Sequence, residues 1–423
     1  MSRMLRVELR RSAAIGTALA LLVVGVLALF FAEGIGFATG WMQLAMTQRL
    51  YLVLLWPLAL AAGAWQARRE HRSRVAELFA STPRPRAQRA APTLGAMAIA
   101  VVGGYLAMGV VGGLWIAGTA RYLPLSVFVV TGVGALALVA AVWLGLAAGR
   151  LLPWPVTAPA LGVGGLALLL LIPGATRPRG WLALVFSPIY EMNMPDAYTT
   201  VPERASAAQA LWLAALTVTA LLLAISGGWR SRTAAVVPLI LGVVLAVAVM
   251  PHRNRYVVSS VDTTAQELVC AKDQPRVCLS RVHSGLLGEV GPGAAEGLAA
   301  LAKLPGAPTR VHEDTTTYVP DVYPAWDNDV VLLEVEVGTN GHLRDRADVP
   351  VEVVTGAFAS PPHCESTASA AQALAAASWL IGRPPADAEA RALWETLHAL
   401  PAGEAQARVV ALRTAALTCS VPR

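Results

Sequence analysis

Apolar residues fall into long unbroken runs as far as Met250 and into short alternating or helical patches after it. Seven of the early runs lie at roughly 12–32, 50–66, 93–118, 125–148, 156–173, 207–227 and 233–250, each near the ~20 residues a helix needs to cross ~30 Å of hydrocarbon. Residues 1–250 are therefore expected to form a polytopic α-helical membrane domain with about seven transmembrane helices. At PHRNRY the texture changes, and charges and prolines appear. YVVSSV and DVVLLEVEVG alternate and are rich in β-branched residues, as strands are. Residues 285–304 read as partly helical, and Ser366 to about Thr418 as two or three helices broken at GRPPAD and LPAGE, where Pro and Gly punctuate. Residues 251–423 are thus expected to be an α+β domain, long enough for a core of its own.

Composition agrees with this division, since 56% of residues are hydrophobic and only 14% charged, a membrane balance. Arginine placement orients the chain. With the N-terminus inside, fourteen arginines before Pro251 fall on inner segments, including Arg3 to Arg11 and Arg68 to Arg89, and five (Arg49, Arg121, Arg177, Arg179 and Arg204) on outer ones. Cytoplasmic loops are enriched in Lys and Arg, so the expectation is N-in, and an odd number of spans makes the C-terminal domain extracytoplasmic at the cell (plasma) membrane. The net charge of +6 is accounted for by this topology and does not call for nucleic acid. The first apolar run exceeds a signal-peptide core, and TGWMQ after it is a poor cleavage site, so it is expected to remain as a span.

All four cysteines, Cys270, Cys278, Cys364 and Cys419, follow the last span, where disulfides persist. Four cysteines allow three pairings, and sequence alone does not choose among them. The favoured set is Cys270 with Cys278 as a hairpin clasp and Cys364 with Cys419 as a staple around a helical segment.

Between the second and third spans runs WQARREHRSRVAELFASTPRPRAQR. Glu70 and Glu77 are seven residues apart, about two turns, and share a helix face flanked by Val75, Leu78 and Phe79. The helix is expected to stop at Pro83. A short amphipathic helix of this kind can dock into a groove on a cytoplasmic partner, whereas the bland alternative is a solvated basic connector. MSRMLRVELRRS reads as a surface helix. The outer stretch GWLALVFSPIYEM is too short to cross and reads as a re-entrant, interfacial or capping piece. Gly109 with Gly113, and Gly145 with Gly149, have the spacing that lets helix backbones approach.

The segment Arg69-Glu70 through Glu77, Leu78 and Pro83 resembles the coupling helix of ABC-2 type transporter permeases, R-E-x-x-x-x-x-E-x-L-x-x-x-P, at the same place between spans two and three. Residues 1–230 resemble that family more loosely, with a surface helix, six spans and an outer apolar segment before the sixth. The Arg- and Ala-rich architecture looks like actinobacterial members. Val75-Ala76 replaces the family's small or Gly-Thr pair, and the seventh span and outer domain are additions. The resemblance implies a membrane subunit, more an exporter than an importer, with a coupling helix at about 67–83 formed by Arg69, Glu70, Val75, Glu77, Leu78, Phe79 and Pro83. It further implies an ABC ATPase subunit as partner, ATP and Mg on that chain and no cofactor on this one, and pairing of permease subunits as a homodimer or heterodimer in membrane lipid.

Other chemistries find little support. No G-x-x-x-x-G-K-[ST] segment is present, so nucleotide hydrolysis would belong to another chain. The spans as read above hold essentially no Asp, Glu, His or Arg away from their ends, which argues against an ion-coupled carrier. His312-Glu313-Asp314 lacks the second histidine of a zinc peptidase, and no G-x-S-x-G elbow occurs. His363 beside Cys364 is outweighed as a thiol site by a disulfide, and Asp321, Asp327, Asp329, Glu334 and Glu336 match no calcium loop. The chain is therefore not expected to be an enzyme or to bind metal. The alternative function is a membrane-anchored sensor or envelope assembly factor whose outer domain binds a ligand or partner.

Overall fold

The computed structural model describes the chain except residues 1, 33–35, 73–84, 190–196, 253–259, 273–275, 319–320, 362–363, 365–368 and 421–423. The N-terminal helix α1 (Ser2–Arg11) leads into α2 (Ala14–Phe31). Its Glu8 accepts from the Thr93 hydroxyl at 3.1 Å, which ties it to the start of α5 (Arg86–Ile116). Among the described residues, six helices are long and apolar enough to cross a membrane: α2, α5, α6 (Leu125–Leu151), α7 (Thr157–Ala175), α9 (Glu203–Ile225), and the stretch Trp229–Val249 formed by α10 (Trp229–Ala234) and α11 (Val236–Val249). The pair α3 (Trp41–Leu50) and α4 (Leu52–Arg72), bent by 50° at the break between them, makes a seventh when counted as one span. Between α7 and α9 lies the seven-residue helix α8 (Gly180–Phe186), the position of the short outer apolar stretch.

The second span differs from its expected limits. Arg49, read from sequence as an outer-loop residue, lies on α3 at 1% exposure, and every residue from Met42 to Arg49 is buried. The apolar run at 50–66 is only the inner part of a longer broken helix. Its outer part carries Gln43, Thr47, Gln48 and Arg49, and their polarity hides it from a hydropathy scan. One arginine thus moves from a loop to the interior of the bundle.

Glycines set the closest helix contacts. A Cβ on Gly145 would run into the Leu60 carbonyl and one on Gly63 into the Val142 carbonyl, while one on Gly149 would lie 2.7 Å from the Ala64 oxygen. Helices α4 and α6 therefore meet backbone to backbone, as small residues allow in lipid. On α5, Gly109 receives the Gln48 amide, Gly112 the Leu44 side chain and Gly113 the Trp41 ring. Both glycine pairs singled out in the sequence thus lie at helix contacts.

After the short helix α12 (Thr263–Gln266), the C-terminal domain is built on a four-stranded mixed sheet of order β3-β4-β5-β8, from β3 (Leu268–Cys270), β4 (Arg276–Ser280), β5 (Arg310–Glu313) and β8 (Val330–Leu333), with β6 (Thr317–Tyr318) and β7 (Asp321–Val322) as a separate antiparallel pair. β3 and β4 pair antiparallel, β4 with β5 and β5 with β8 parallel. Helices α13 (Leu287–Leu301), α14 (Val349–Gly356) and α15 (Ala370–Ile381) bury its apolar face around Leu279, Val311, Val331, Leu301 and Val353. Helices α16 (Ala388–His398) and α17 (Ala402–Leu417) complete it, broken where GRPPAD and LPAGE predict. DVVLLEVEVG is strand only over its first half, followed by the bridge from Val337 to Leu343. Both favoured disulfides form. Cys270–Cys278 closes the β3–β4 hairpin at directly opposed positions, and Cys364–Cys419 spans 55 residues.

Candidate functional site

Of the residues expected to form the coupling helix, Arg69 and Glu70 lie in the last turns of α4, which continues without a break from the span. Val75, Glu77, Leu78, Phe79 and Pro83 lie outside the described residues. The segment leaves α4 at Arg72 and the chain resumes as α5 at Arg86. This is the end of α5 opposite Trp115, whose indole donates to the Thr339 carbonyl of the C-terminal domain at 3.0 Å. The helix ends at Arg72 and Arg86 and the C-terminal domain therefore lie at opposite ends of the bundle, the domain at the outer one.

Two polar clusters lie buried away from those helix ends. The first surrounds α3. Arg49 donates from Nε and Nη2 to the Pro188 carbonyl at 3.2 and 2.8 Å and from Nη2 to Gln209 Oε1 at 3.1 Å, and Gln209 donates to the Leu184 carbonyl at 2.8 Å. An arginine on α3, a glutamine on α9 and the backbone around α8 thus form one network. It holds the short outer helix to the bundle and satisfies carbonyls that lipid would leave orphaned. A Cβ on Gly134 would lie 2.9 Å from Arg49 Cδ and against the Tyr105 hydroxyl, so α6 makes room for both. Around them Thr47 Oγ1, Gln48 Nε2, Tyr51 OH and Tyr105 OH are buried with no hydrogen-bond partner. Each such atom costs ~1–3 kcal/mol, so four within one small region mark a place where something other than packing is served.

The second cluster joins the bundle to the outer domain. Strand β1 (Thr199–Thr200), just before α9, pairs antiparallel with β2 (Ser260–Val261), just after the last span. This pairing carries Tyr198 into the domain. Glu313 Oε1 accepts from Tyr198 OH and from His283 Nδ1, while Oε2 accepts from the Ser280 amide at 2.6 Å. Glu313 is 1% exposed, and Tyr198 and His283 are 5% exposed. Burial pushes the Glu313 carboxyl up, but His283, Tyr198 and the Ser280 amide together hold it below the usual carboxylate range. The stabilisation it brings is therefore present above the ordinary glutamate range and lost only as pH falls through the lowered value. Nearby, Tyr122 OH donates to Asp262 Oδ2 at 2.8 Å. Burial, and then the Asp262 carboxylate, push this phenol up to about 12.

Glu313 entered the sequence reading only in a failed peptidase motif. Its neighbour His312 is half-buried on β5, held below the usual imidazole range by burial and by Arg310 and Arg276. Neither Tyr198 nor His283 carries a local signal, because the contact spans more than a hundred residues of sequence. The α3 cluster had a signal, the run QLAMTQR at helical length before an apolar stretch. Of the acidic residues considered for calcium, Asp327 and Asp329 pair with Arg310 and Glu336 with Arg344. His363 lies outside the described residues. A wide cleft of about 610 Å³ opens on the outer domain between α13 and α14, with Glu289, Glu296, Arg346 and Arg383 on its walls.

These features define a multi-pass membrane protein with a disulfide-bonded α+β domain at one end of its bundle, and the disulfides fit an extracytoplasmic location for that end. No family model, no curated protein and no solved structure matches the chain.

Proposed function

We propose that the chain is the permease subunit of an ABC-2 type transporter, an exporter of the plasma membrane, driven by a separate ATPase chain that docks on residues 67–83. The observation that carries the proposal is the resemblance of Arg69-Glu70, Glu77-Leu78 and Pro83 to the family's coupling helix, at the matching place between the second and third crossings. The order of elements supports it: a helix α1 ahead of the first crossing, a connection from Arg72 to Arg86 whose described ends lie opposite the outer domain, and a short non-spanning helix α8 before the sixth crossing. Glu70 and Glu77 would face the ATPase, ATP and Mg would be held by that partner, and two permease subunits would make up the working assembly.

Affinity purification of the full-length protein in mild detergent tests this. The expected result is a stoichiometric nucleotide-binding chain that is lost on Glu77→Arg with Leu78→Asp. Recovery without such a chain across several detergents would count against it.

The cleft between α13 and α14 supports a second reading, a membrane-anchored sensor whose outer domain binds a ligand or envelope partner. Co-purification of envelope proteins in place of an ATPase would favour that one.

A further inference from the structure

The outer domain touches every outer connection of the first six crossings. Ahead of α3, Gly40 lies against Val282, where a Cβ would be 3.1 Å from Val282 Cγ1. Between α5 and α6, Thr119 backs onto Gly285 and Tyr122 bonds Asp262. Ahead of α9, Tyr198 bonds Glu313 and Thr199–Thr200 pairs with β2. Where these meet, Tyr198, Ala265 and Val282 form a small apolar core of their own, packed by Tyr122 and Ala197. Beneath it is a cavity of about 10 Å³ lined by Gln43, Tyr122, Thr199 and Asp262 among others, about the room one water needs. From that cavity α3 descends into the bundle, and one turn below Gln43 come Thr47 and Gln48, then Tyr51, with Gln48 packed against Gly109 of α5 and Tyr105 one turn away on the same face. Thr47, Gln48, Tyr51 and Tyr105 each bury a polar atom without a partner.

We propose that α3 bears a hydrogen-bonding track from the outer face into the bundle, that the outer domain is the lid on it, and that the Tyr198–Glu313–His283 contact is the latch. The track takes a molecule with neutral hydrogen-bonding groups, such as hydroxyls or amides, because hydroxyls and an amide are what stand unpartnered along it. With the lid seated, its mouth holds no more than a water. Lifting the lid breaks the bond from Tyr198 to the buried Glu313 carboxylate, while His283 and the Ser280 amide, which belong to the domain, move with Glu313, so the closed state is the resting one. Calling the track a transport route rests on the permease reading, whereas the lid and latch do not.

The test is the rate at which a thiol on the track meets a reagent from outside. All four native cysteines are disulfide-bonded, so Thr47→Cys in the full-length protein, reconstituted in liposomes, offers one thiol to a membrane-impermeant maleimide. Tyr198→Phe and Glu313→Gln are each expected to raise its labelling rate by about tenfold or more, the scale of losing one hydrogen bond to a charged group. A second arm locks the lid independently of the latch. Gly40→Cys with Val282→Cys, oxidised to a cross-link, is expected to hold labelling of the thiol at position 47 at or below the latched rate even when Tyr198→Phe is added. Labelling that never occurs, that ignores both latch variants, or that is as fast with the cross-link as without it would overturn the lid. Loss of the ATPase partner together with latch-dependent labelling would remove only the transport reading. A co-purifying ATPase with latch-independent labelling would remove only the lid.

Discussion

In the bundle, Gly63, Gly145 and Gly149 let α4 and α6 press carbonyl against Cα. In the outer domain, Gly293 and Gly297 of α13 instead receive the side chains of Val349 and Val353 from α14. The same residue thus serves two kinds of packing. Between lipid-bathed helices there is no water to expel, so attraction comes from close backbone approach. On the watered side, apolar side chains gain ~25 cal/mol per Å² by leaving water, and glycine only makes space for them. Exposed surfaces divide the same way. The bundle shows Leu19, Val23 and Leu27 along α2 and Ile240, Leu241 and Val244 along α11, while the outer domain shows ion pairs such as Arg383–Asp348 and Arg310–Asp327.

The most disruptive change by this comparison is Gly145→Leu. Its Cβ meets the Leu60 carbonyl, a backbone atom that cannot turn aside, so the loss should exceed the ~1–3 kcal/mol of ordinary overpacking, and little folded protein should be recovered by size-exclusion chromatography. Gly288→Ala in α13, with open space around it, should be neutral or gain up to ~1 kcal/mol from helix propensity. Equal effects would mean that the two regions pack alike.

Next come the disulfides. Cys364–Cys419 closes 55 residues and Cys270–Cys278 closes 8. From loop-closure entropy, removing the first should cost about 4 kcal/mol and the second about 2.5 kcal/mol. Thermal melts of the two Ser double variants, with limited proteolysis to report on each region, should show the outer domain loosened more in the first and the bundle untouched in both.

The smallest effect concerns Glu352 on α14. Desolvation, followed by Asp348, Glu336, Glu334 and Asp345, pushes its carboxyl up to about 7, although the side chain is on the exposed side of the helix. A raised carboxyl costs nothing below the unfolded value of about 4.5, and its penalty grows as pH rises from there to about 7 and is fully present above it. Because solvent screens this exposed carboxyl and leaves only part of the shift as stability, Glu352→Gln should lift the melting temperature by a few degrees, roughly what 1 kcal/mol brings, at pH 8 and leave it unchanged at pH 4. A shift of the same size at both values would assign the effect to something other than charge.

Much of the architecture was legible because its causes are local. A run of twenty apolar residues has few fates besides a membrane helix, Pro and Gly at GRPPAD and LPAGE end helices wherever they stand, and cysteines eight apart on two strands meet across a hairpin. Both glycine pairs were visible as spacings. Less visible was α3, because Gln43, Thr47, Gln48 and Arg49 dilute its hydropathy and a scan begins the span at the next apolar residue.

The sequence by itself determined the six to seven long apolar helices, the α+β character of the second half and the disulfide set it favoured, all of which depend on composition and spacing within short windows. Only the tertiary structure decided that Arg49 sits inside the bundle holding α8 and α9, and that Tyr198, His283 and Glu313 meet in one buried contact. Those residues are 85 and 30 positions apart in sequence. No local propensity brings them together; the β1–β2 pairing and the docking of the domain on three outer connections do, and a buried carboxylate persists there because its hydrogen-bond donors arrive with it.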